Sequence, residues 1–340
     1  MNTLFSKTTK AVQNTYETLN CSGGSLIIYH QNQLAVEQYW GKQSNKEDAK
    51  NIQPHTKFHL ASCRKTYVGF AVAYAVMNGY IDSIDDDITK HLPIDKQHPL
   101  YKGTTIRHLL THTHGLKLHN DGVERVFKAG EDWGYQGINI DILSEILQFT
   151  TKKTIAQIVK EEVFIPLQFK ETGWYNQFDD SFVEVIRPES QPHWTAPINI
   201  DGSGMNMYAS TREFAKWGLL HLNQGMLDGQ QVIDPRIIQL ATSFQSPVLM
   251  NPDLPDNGFL WFVKNSPAQR SEIGEFVPDG SYQILGYTTV TLLVIPQENI
   301  VAVRAFNSFG NPEGYNYLRD VKDFGNNIML DIKQVSGSVV

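Results

Sequence analysis

Among the residues able to do covalent chemistry, Ser62 and Lys65 stand three positions apart in Ala61-Ser62-Cys63-Arg64-Lys65-Thr66, at the head of an apolar run that closes at Gly79. On a helix a spacing of three puts both side chains on one face about a turn apart, so an amine or ammonium stands beside the hydroxyl. A serine hydroxyl is a poor nucleophile until a neighbouring base takes its proton or a neighbouring charge lowers the cost of losing it, and Lys65 can do either. Ser62 would also sit at a helix N-terminus, where the dipole favours developing negative charge. The pair needs its context, because a chain of this length holds roughly one Ser-x-x-Lys by chance at average composition. Cys63 reads as a small core residue rather than a second nucleophile. His112, His114 and His119 could be read as metal ligands, but a His-x-His spacing at a helix end does not place both rings on one face, and no metallohydrolase pattern follows. Neither a metal nor a cofactor is expected.

The elements that must position these residues follow from periodicity. Residues 3–19 carry Leu4, Val12, Tyr16 and Leu19 among polar neighbours and read as a surface helix. Two β-rich runs, 25–30 and 33–40, flank Gln31-Asn32 as a hairpin. The stretch 62–78 is apolar on nearly every side and ends at glycine, which predicts a buried central helix. Helical patterns recur at 106–111, 141–149, 154–163 and 211–223. Strand patterns return at 258–264, 287–295 and 299–307, and the short link Pro296-Gln297-Glu298 makes the last two antiparallel neighbours. A final amphipathic helix over 315–332 precedes a polar tail, 334–340, expected to be disordered.

Strands at both ends with helices between predict an α+β fold: an antiparallel sheet built from both chain ends, flanked by helices, with an inserted all-helical lobe. The expected division is residues 1–60 with 255–340 for the sheet lobe and 61–254 for the helical lobe. The nucleophile helix would then run along the seam, a usual place for a pocket.

Composition narrows the partners. The 340 residues are 41% hydrophobic and 19% charged, ordinary for a globular protein with a sizeable core. Lys plus Arg number 29 against 36 Asp plus Glu, a net charge of -7, and no basic block of five occurs. Nucleic acid and anionic membrane are therefore excluded as leading partners, and a small-molecule substrate remains. No segment reaches the ~18 apolar residues of a membrane span and none has a signal-peptide core, so a cytoplasmic location is expected. The two cysteines, Cys21 and Cys63, make no disulfide framework. The sequence leaves the oligomeric state open.

Residues 58–65, the aspartate-rich stretch 79–86, Ile106-Arg107-His108-Leu109-Leu110-Thr111-His112-Thr113-His114-Gly115-Leu116, Pro166-Leu167, Thr172-Gly173-Trp174 and the run 204–218 occur in an order that resembles the serine β-lactamase-like hydrolases. The likeness is nearest the class C β-lactamases, D-alanyl-D-alanine carboxypeptidases and related esterases, and it covers roughly residues 20–310. It implies a β-lactamase/penicillin-binding-protein-like fold and acyl transfer through a covalent Ser62 ester. It also implies a catalytic tyrosine on a loop, usually in Tyr-x-Asn. Tyr135 in Trp133-Gly134-Tyr135-Gln136-Gly137 occupies that place, with Gly137 where Asn is usual. Lys65 and Tyr135 would share the proton, and which is the base stays open. The family's third element is a Lys or His followed by x-Gly on the strand bordering the site. Here its counterparts are Pro278-Asp279-Gly280 or Ile284-Leu285-Gly286, with no cation. A residue within 281–289 would join the Ser62 N–H in an oxyanion hole. Gly280, Ser281, Gly286 and Arg304 are thus the candidate substrate-binding residues, Arg304 as a substitute for the missing cation. A small neutral or cationic ester or amide is the expected substrate. The alternatives are a β-lactamase or D-alanyl-D-alanine carboxypeptidase proper, and a catalytically degenerate binding or regulatory protein.

Overall fold

The structure is a computed structural model that describes residues 4–188 and 198–336. The chain opens with α1 (Ser6–Thr18) and the hairpin β1 (Gly23–His30) and β2 (Gln33–Gly41), and Gln31 and Asn32 both take positive φ, as a two-residue hairpin turn demands. β3 (Lys57–His59) leads through a single 3₁₀ turn, Ala61–Arg64, into α2 (Lys65–Met77). The middle of the chain supplies α3 (Ile106–Leu110), the hairpin β4 (Leu116–His119) and β5 (Gly122–Arg125), α4 (Ile138–Thr151), α5 (Ile155–Val159), β6 (Gly173–Trp174), β7 (Met207–Ser210), α6 (Thr211–Leu222), the hairpin β8 (Met226–Leu227) and β9 (Gln230–Gln231), and α7 (Pro235–Thr242). The last part brings β10 (Phe262–Val263), β11 (Tyr282–Gly286), β12 (Val290–Ile295), β13 (Ile300–Phe306) and α8 (Tyr317–Ser336).

Six strands form one antiparallel sheet in the order β10-β11-β12-β13-β1-β2, so the two ends of the chain do meet, with Leu26 opposite Arg304. Alternation along β13 sends successive side chains to opposite faces. Phe306 stacks on Tyr16 of α1, and Arg304 pairs with Asp320 of α8, so α1 and α8 cover one face. On the other face a Cβ at Gly218 of α6 would lie 2.5 Å from Val301 and 2.7 Å from Leu292, so helix and sheet are in van der Waals contact. Behind α6 lies α2, where Tyr67 stacks on Trp217 at 4.3 Å and Phe70 meets the same indole edge-on. Burial on every side explains why residues 62–78 show no polar stripe.

The sequence expectations shift in places. A single strand over 287–295 is instead β12 beginning at Val290, preceded by a turn in which Thr289 takes φ +64°, and β11 is a separate strand. In the stretch 258–264 the strand is confined to Phe262–Val263, because Leu260 takes φ +62° and breaks extension. The last helix begins at Tyr317, after a turn in which Tyr315 N–H donates to the Pro312 carbonyl, and residues 334–336 are helical rather than disordered tail. Residues 337–340 lie outside the described residues. No described helix is long and apolar enough to cross a membrane.

Candidate active site

Ser62 is held at the head of α2 by contacts from three elements. Leu60 N–H donates to the Met207 carbonyl of β7 at 2.9 Å, and Ala61 takes φ +46°, which turns the chain sharply into the 3₁₀ turn. Cys63 N–H then donates to the Leu60 carbonyl at 2.9 Å. The His59 carbonyl, a natural acceptor for the Ser62 N–H, is occupied by the Thr288 hydroxyl at 2.7 Å. Among the described residues neither the Ser62 nor the Tyr287 N–H makes a backbone hydrogen bond, which leaves two donors beside the hydroxyl. The close seat of β11 is set by Gly286: a Cβ there would stand 2.4 Å from the Leu60 carbonyl oxygen.

Lys65 is only 3% exposed. Burial, with the Arg64 guanidinium adding to it, holds its ammonium well below the usual lysine range, and no carboxylate stands among the groups that act on it. Its Nζ lies 3.8 Å from the centroid of the Tyr135 ring. That ring stacks on His112 at 4.5 Å, and Trp133 leans on both. The wall is fixed in turn: Trp133 Nε1 donates to Asn257 Oδ1 at 2.8 Å, and Gly134 N–H donates to the His112 carbonyl at 2.9 Å. Tyr135 is 40% exposed because its side chain lines the cavity beside Ser62, yet desolvation of its hydroxyl pushes its pKa up to about 12. The phenol is therefore protonated at neutral pH, and the charged form of the lysine is disfavoured.

These groups open on a cavity of about 230 Å³. Trp133, Phe262, Leu285, Tyr287 and Tyr317 make its apolar and aromatic wall, and Ser62, Tyr135, Glu272 and Asn311 bring the polar atoms. A larger groove of about 390 Å³, lined by Tyr175, Phe182, Arg187 and Tyr208, does not include Ser62 or Lys65. Such a constellation can add a hydroxyl to a carbonyl, stabilise the oxyanion on two N–H groups and return a proton to the leaving group.

The family model described as Beta-lactamase matches residues 8–325. The chain belongs to the β-lactamase family. An uncharacterized protein of Alkalihalophilus pseudofirmus is 54% identical over 318 residues, 94% of each chain. Among solved structures, a class C β-lactamase in complex with cefoxitin superposes with a TM-score of 0.75 at 13% identity, covering 96% of this chain and 98% of that one. EstCE1, described as a hydrolase with promiscuous acyltransferase activity, superposes with a TM-score of 0.72 at 18% identity, over 95% and 98%. At these identities the two likenesses concern the fold, which is the β-lactamase/penicillin-binding-protein-like α+β fold.

Within this β-lactamase-family chain the predicted residues part company. Ser62, Lys65 and Tyr135 come together, and Gly286 lies at their edge. Gly280 and Ser281 do not line the cavity: they turn the chain into the far end of β11, about 20 Å from Gly286 at ~3.3 Å per residue. Asp279 is at that same end, its carbonyl accepting from Gln297. Ile284-Leu285-Gly286 is consequently the stretch beside Ser62. Arg304 is not a substitute cation. It is 1% exposed on the opposite side of the sheet, paired to Asp320 at 2.5 Å and enclosed with Thr8, Val12 and Phe324. A side chain at Gly137 would meet open space, so the amide usual in Tyr-x-Asn is missing by residue type and not for want of room.

The three histidines go separate ways. His112 is buried behind Tyr135, His114 accepts the Leu116 N–H at 3.0 Å, and His119 bonds Glu124 on the exposed β4–β5 hairpin. Cys63 is wholly buried with its thiol on the Val290 carbonyl. Sequence reasoning missed Glu272, Tyr317 and Asn311. Glu272 lies in an aperiodic, Pro- and Ser-containing stretch that carries no signal, whereas the other two enter the cavity only because α8 returns to the sheet.

Proposed function

We propose that this protein is a serine hydrolase that cleaves small neutral or cationic esters or amides through a covalent Ser62 ester. The observation that carries the reading is that Ser62 and Tyr135 line one cavity while the Lys65 Nζ lies 3.8 Å from the Tyr135 ring centroid, with burial disfavouring the charged form of the lysine. The Lys65 amine takes the Ser62 proton as the hydroxyl attacks the carbonyl. The N–H groups of Ser62 and Tyr287 receive the oxyanion, a device whose single donors are worth about 10²–10³ in rate. Tyr135 hands its proton to the departing oxygen or nitrogen and is reprotonated from Lys65. Water then hydrolyses the ester along the reverse path. The apolar wall and the absence of a basic residue among the described lining residues support neutral or cationic substrates over carboxylate-bearing ones.

The test is the intact mass after a fluorophosphonate probe. The wild type should gain one adduct and Ser62→Ala none, with thermal unfolding nearly unchanged. Labelling that persists in Ser62→Ala refutes the assignment.

A further inference from the structure

One acid in the cavity has no part in this acyl transfer. Glu272 lines the same cavity as Ser62, yet its carboxyl makes no side-chain hydrogen bond or ion pair among the described residues, and Oε2 is enclosed without a partner. Other enclosed acids here are satisfied. Glu213 accepts from Lys170 N–H, Glu171 N–H and the Thr172 hydroxyl, Asp331 accepts from Thr8, and Asp320 pairs with Arg304. An enclosed carboxyl without a donor is costly, so its retention inside a ligand cavity calls for a donor that arrives from outside.

The backbone around it is fixed. Gln283 Nε2 of β11 donates to the Glu272 carbonyl at 2.9 Å, and Ile273 N–H donates to the Ser271 hydroxyl at 3.2 Å. The titratable groups that feel it are the phenols of Tyr135, before α4, and Tyr317, on α8. Arg270 and, from α8, Lys322 act on it only through space. No lysine or arginine lines the cavity among the described residues, and Leu285 stands near the place where the family's third element would bring a cation. The described lining thus offers one carboxyl and no lysine or arginine, which is complementary to a cation.

We propose that Glu272 is the specificity determinant that receives a primary ammonium of the substrate, so that the preferred substrate is a small amide or ester bearing a protonated amine near its scissile carbonyl. The inference rests on the Ser62 acyl-transfer reading and adds the substrate class to it. In the free protein burial pushes the carboxyl up to about 8, so near neutrality it holds a proton. Binding R–NH₃⁺ then yields the carboxylate–ammonium pair and releases one proton to solvent.

The experiment compares kcat/KM for glycine, alanine and β-alanine 4-nitroanilides with their methyl-for-ammonium isosteres, propionic, isobutyric and butyric 4-nitroanilides. It is run in the wild type, Glu272→Gln and Glu272→Leu. A charge-assisted pair should give at least one ammonium substrate an advantage of roughly ten- to a hundredfold in the wild type. That ratio should collapse toward one in both variants and decline in the wild type from pH 8 to pH 6. A wild-type ratio at or below one for all three pairs overturns the inference, as does a ratio that survives in Glu272→Gln, which would mean a neutral hydrogen-bond acceptor suffices. Binding is read separately by titrating n-butylammonium into Ser62→Ala at pH 7 in two buffers of different ionisation enthalpy. Saturable binding with release of about one proton, abolished by adding Glu272→Gln, supports the inference, and no binding overturns it. Fluorophosphonate labelling of Ser62 reports on acyl transfer independently, so the two readings fail in different assays.

Discussion

Gly286→Ala tests whether the seat of β11 against the turn that carries Ser62 sets the geometry of the proposed reaction. The added Cβ would lie 2.4 Å from the Leu60 carbonyl oxygen and 3.2 Å from the Ala61 Cβ. Carbon and oxygen in such contact need about 3.0 Å, so strand and turn must part by about 0.6 Å. Neither obstacle is the free end of a flexible side chain. The Leu60 carbonyl also accepts the Cys63 N–H that closes the 3₁₀ turn, so its displacement is passed directly to Ser62 and to the distance between the Ser62 and Tyr287 N–H groups. Misplacement by about 1 Å costs on the order of 10² in rate, so 0.6 Å should lower kcat for a neutral ester by roughly ten- to a hundredfold. Overpacking of this kind should cost about 1–3 kcal/mol of stability, which leaves the protein folded at 25 °C. The assay is steady-state kinetics with 4-nitrophenyl acetate beside a urea unfolding curve. A kcat within twofold of wild type in a destabilised variant would show that the turn is positioned by α2 alone and refute the argument.

Other perturbations separate the roles of buried groups. Lys65→Ala and Tyr135→Phe should be non-additive in kcat/KM, because one proton passes between them, and the double variant should be little slower than the worse single one; strict multiplication would show independent action. Arg304→Ala leaves Asp320 uncompensated at the α1–α8 side and should cost about 3–5 kcal/mol in urea unfolding while the folded fraction keeps its ester kcat/KM; a selective loss of activity would return Arg304 to the site. Glu272 supplies a pH test of stability. Its folded pKa of about 8 stands above the ordinary 4.5, so the folded state holds the extra proton between those values and loses stability as pH rises through that window, at about 1.4 kcal/mol per unit and a few kcal/mol at most. Glu272→Gln should therefore melt higher than wild type by a margin that grows from pH 5 to pH 8, and a margin independent of pH would contradict burial as the cause.

Local patterns carried much of the fold into the sequence. The central helix, the hairpin across Gln31-Asn32 and the pairing of β12 with β13 follow from periodicity and turn chemistry, and the joining of both chain ends follows from strand placement. The candidate pair Ser62 and Lys65 could be singled out because the two are neighbours in sequence and share one turn at the head of α2. What escaped depended on distance along the chain. Nothing local says that Arg304 faces α1 and α8, since a one-residue change of register would turn it to the other face. Glu272 could be placed only once Gln283 and the return of α8 were known. Gly280 and Gly286 both sit in plausible x-Gly contexts, and only the contact with Leu60 tells them apart.

The pairing of the first strand with the last has a consequence for the protein during its own synthesis. Leu26 waits for Arg304, 278 positions later, and at about 5–20 residues per second the ribosome needs roughly 14–56 s to supply it. Through that interval the apolar edge of β1, with Leu26, Ile27 and Ile28, has only β2 as its sheet neighbour, and such an edge invites pairing with other chains. Ser62 and Lys65 emerge early, but Gly286 must still arrive to seat their turn. The turn that carries Ser62 is consequently not seated against β11 until Gly286 has been made. Slower elongation would lengthen the exposure of that edge, whereas a holdase chaperone on the first hairpin would shorten it.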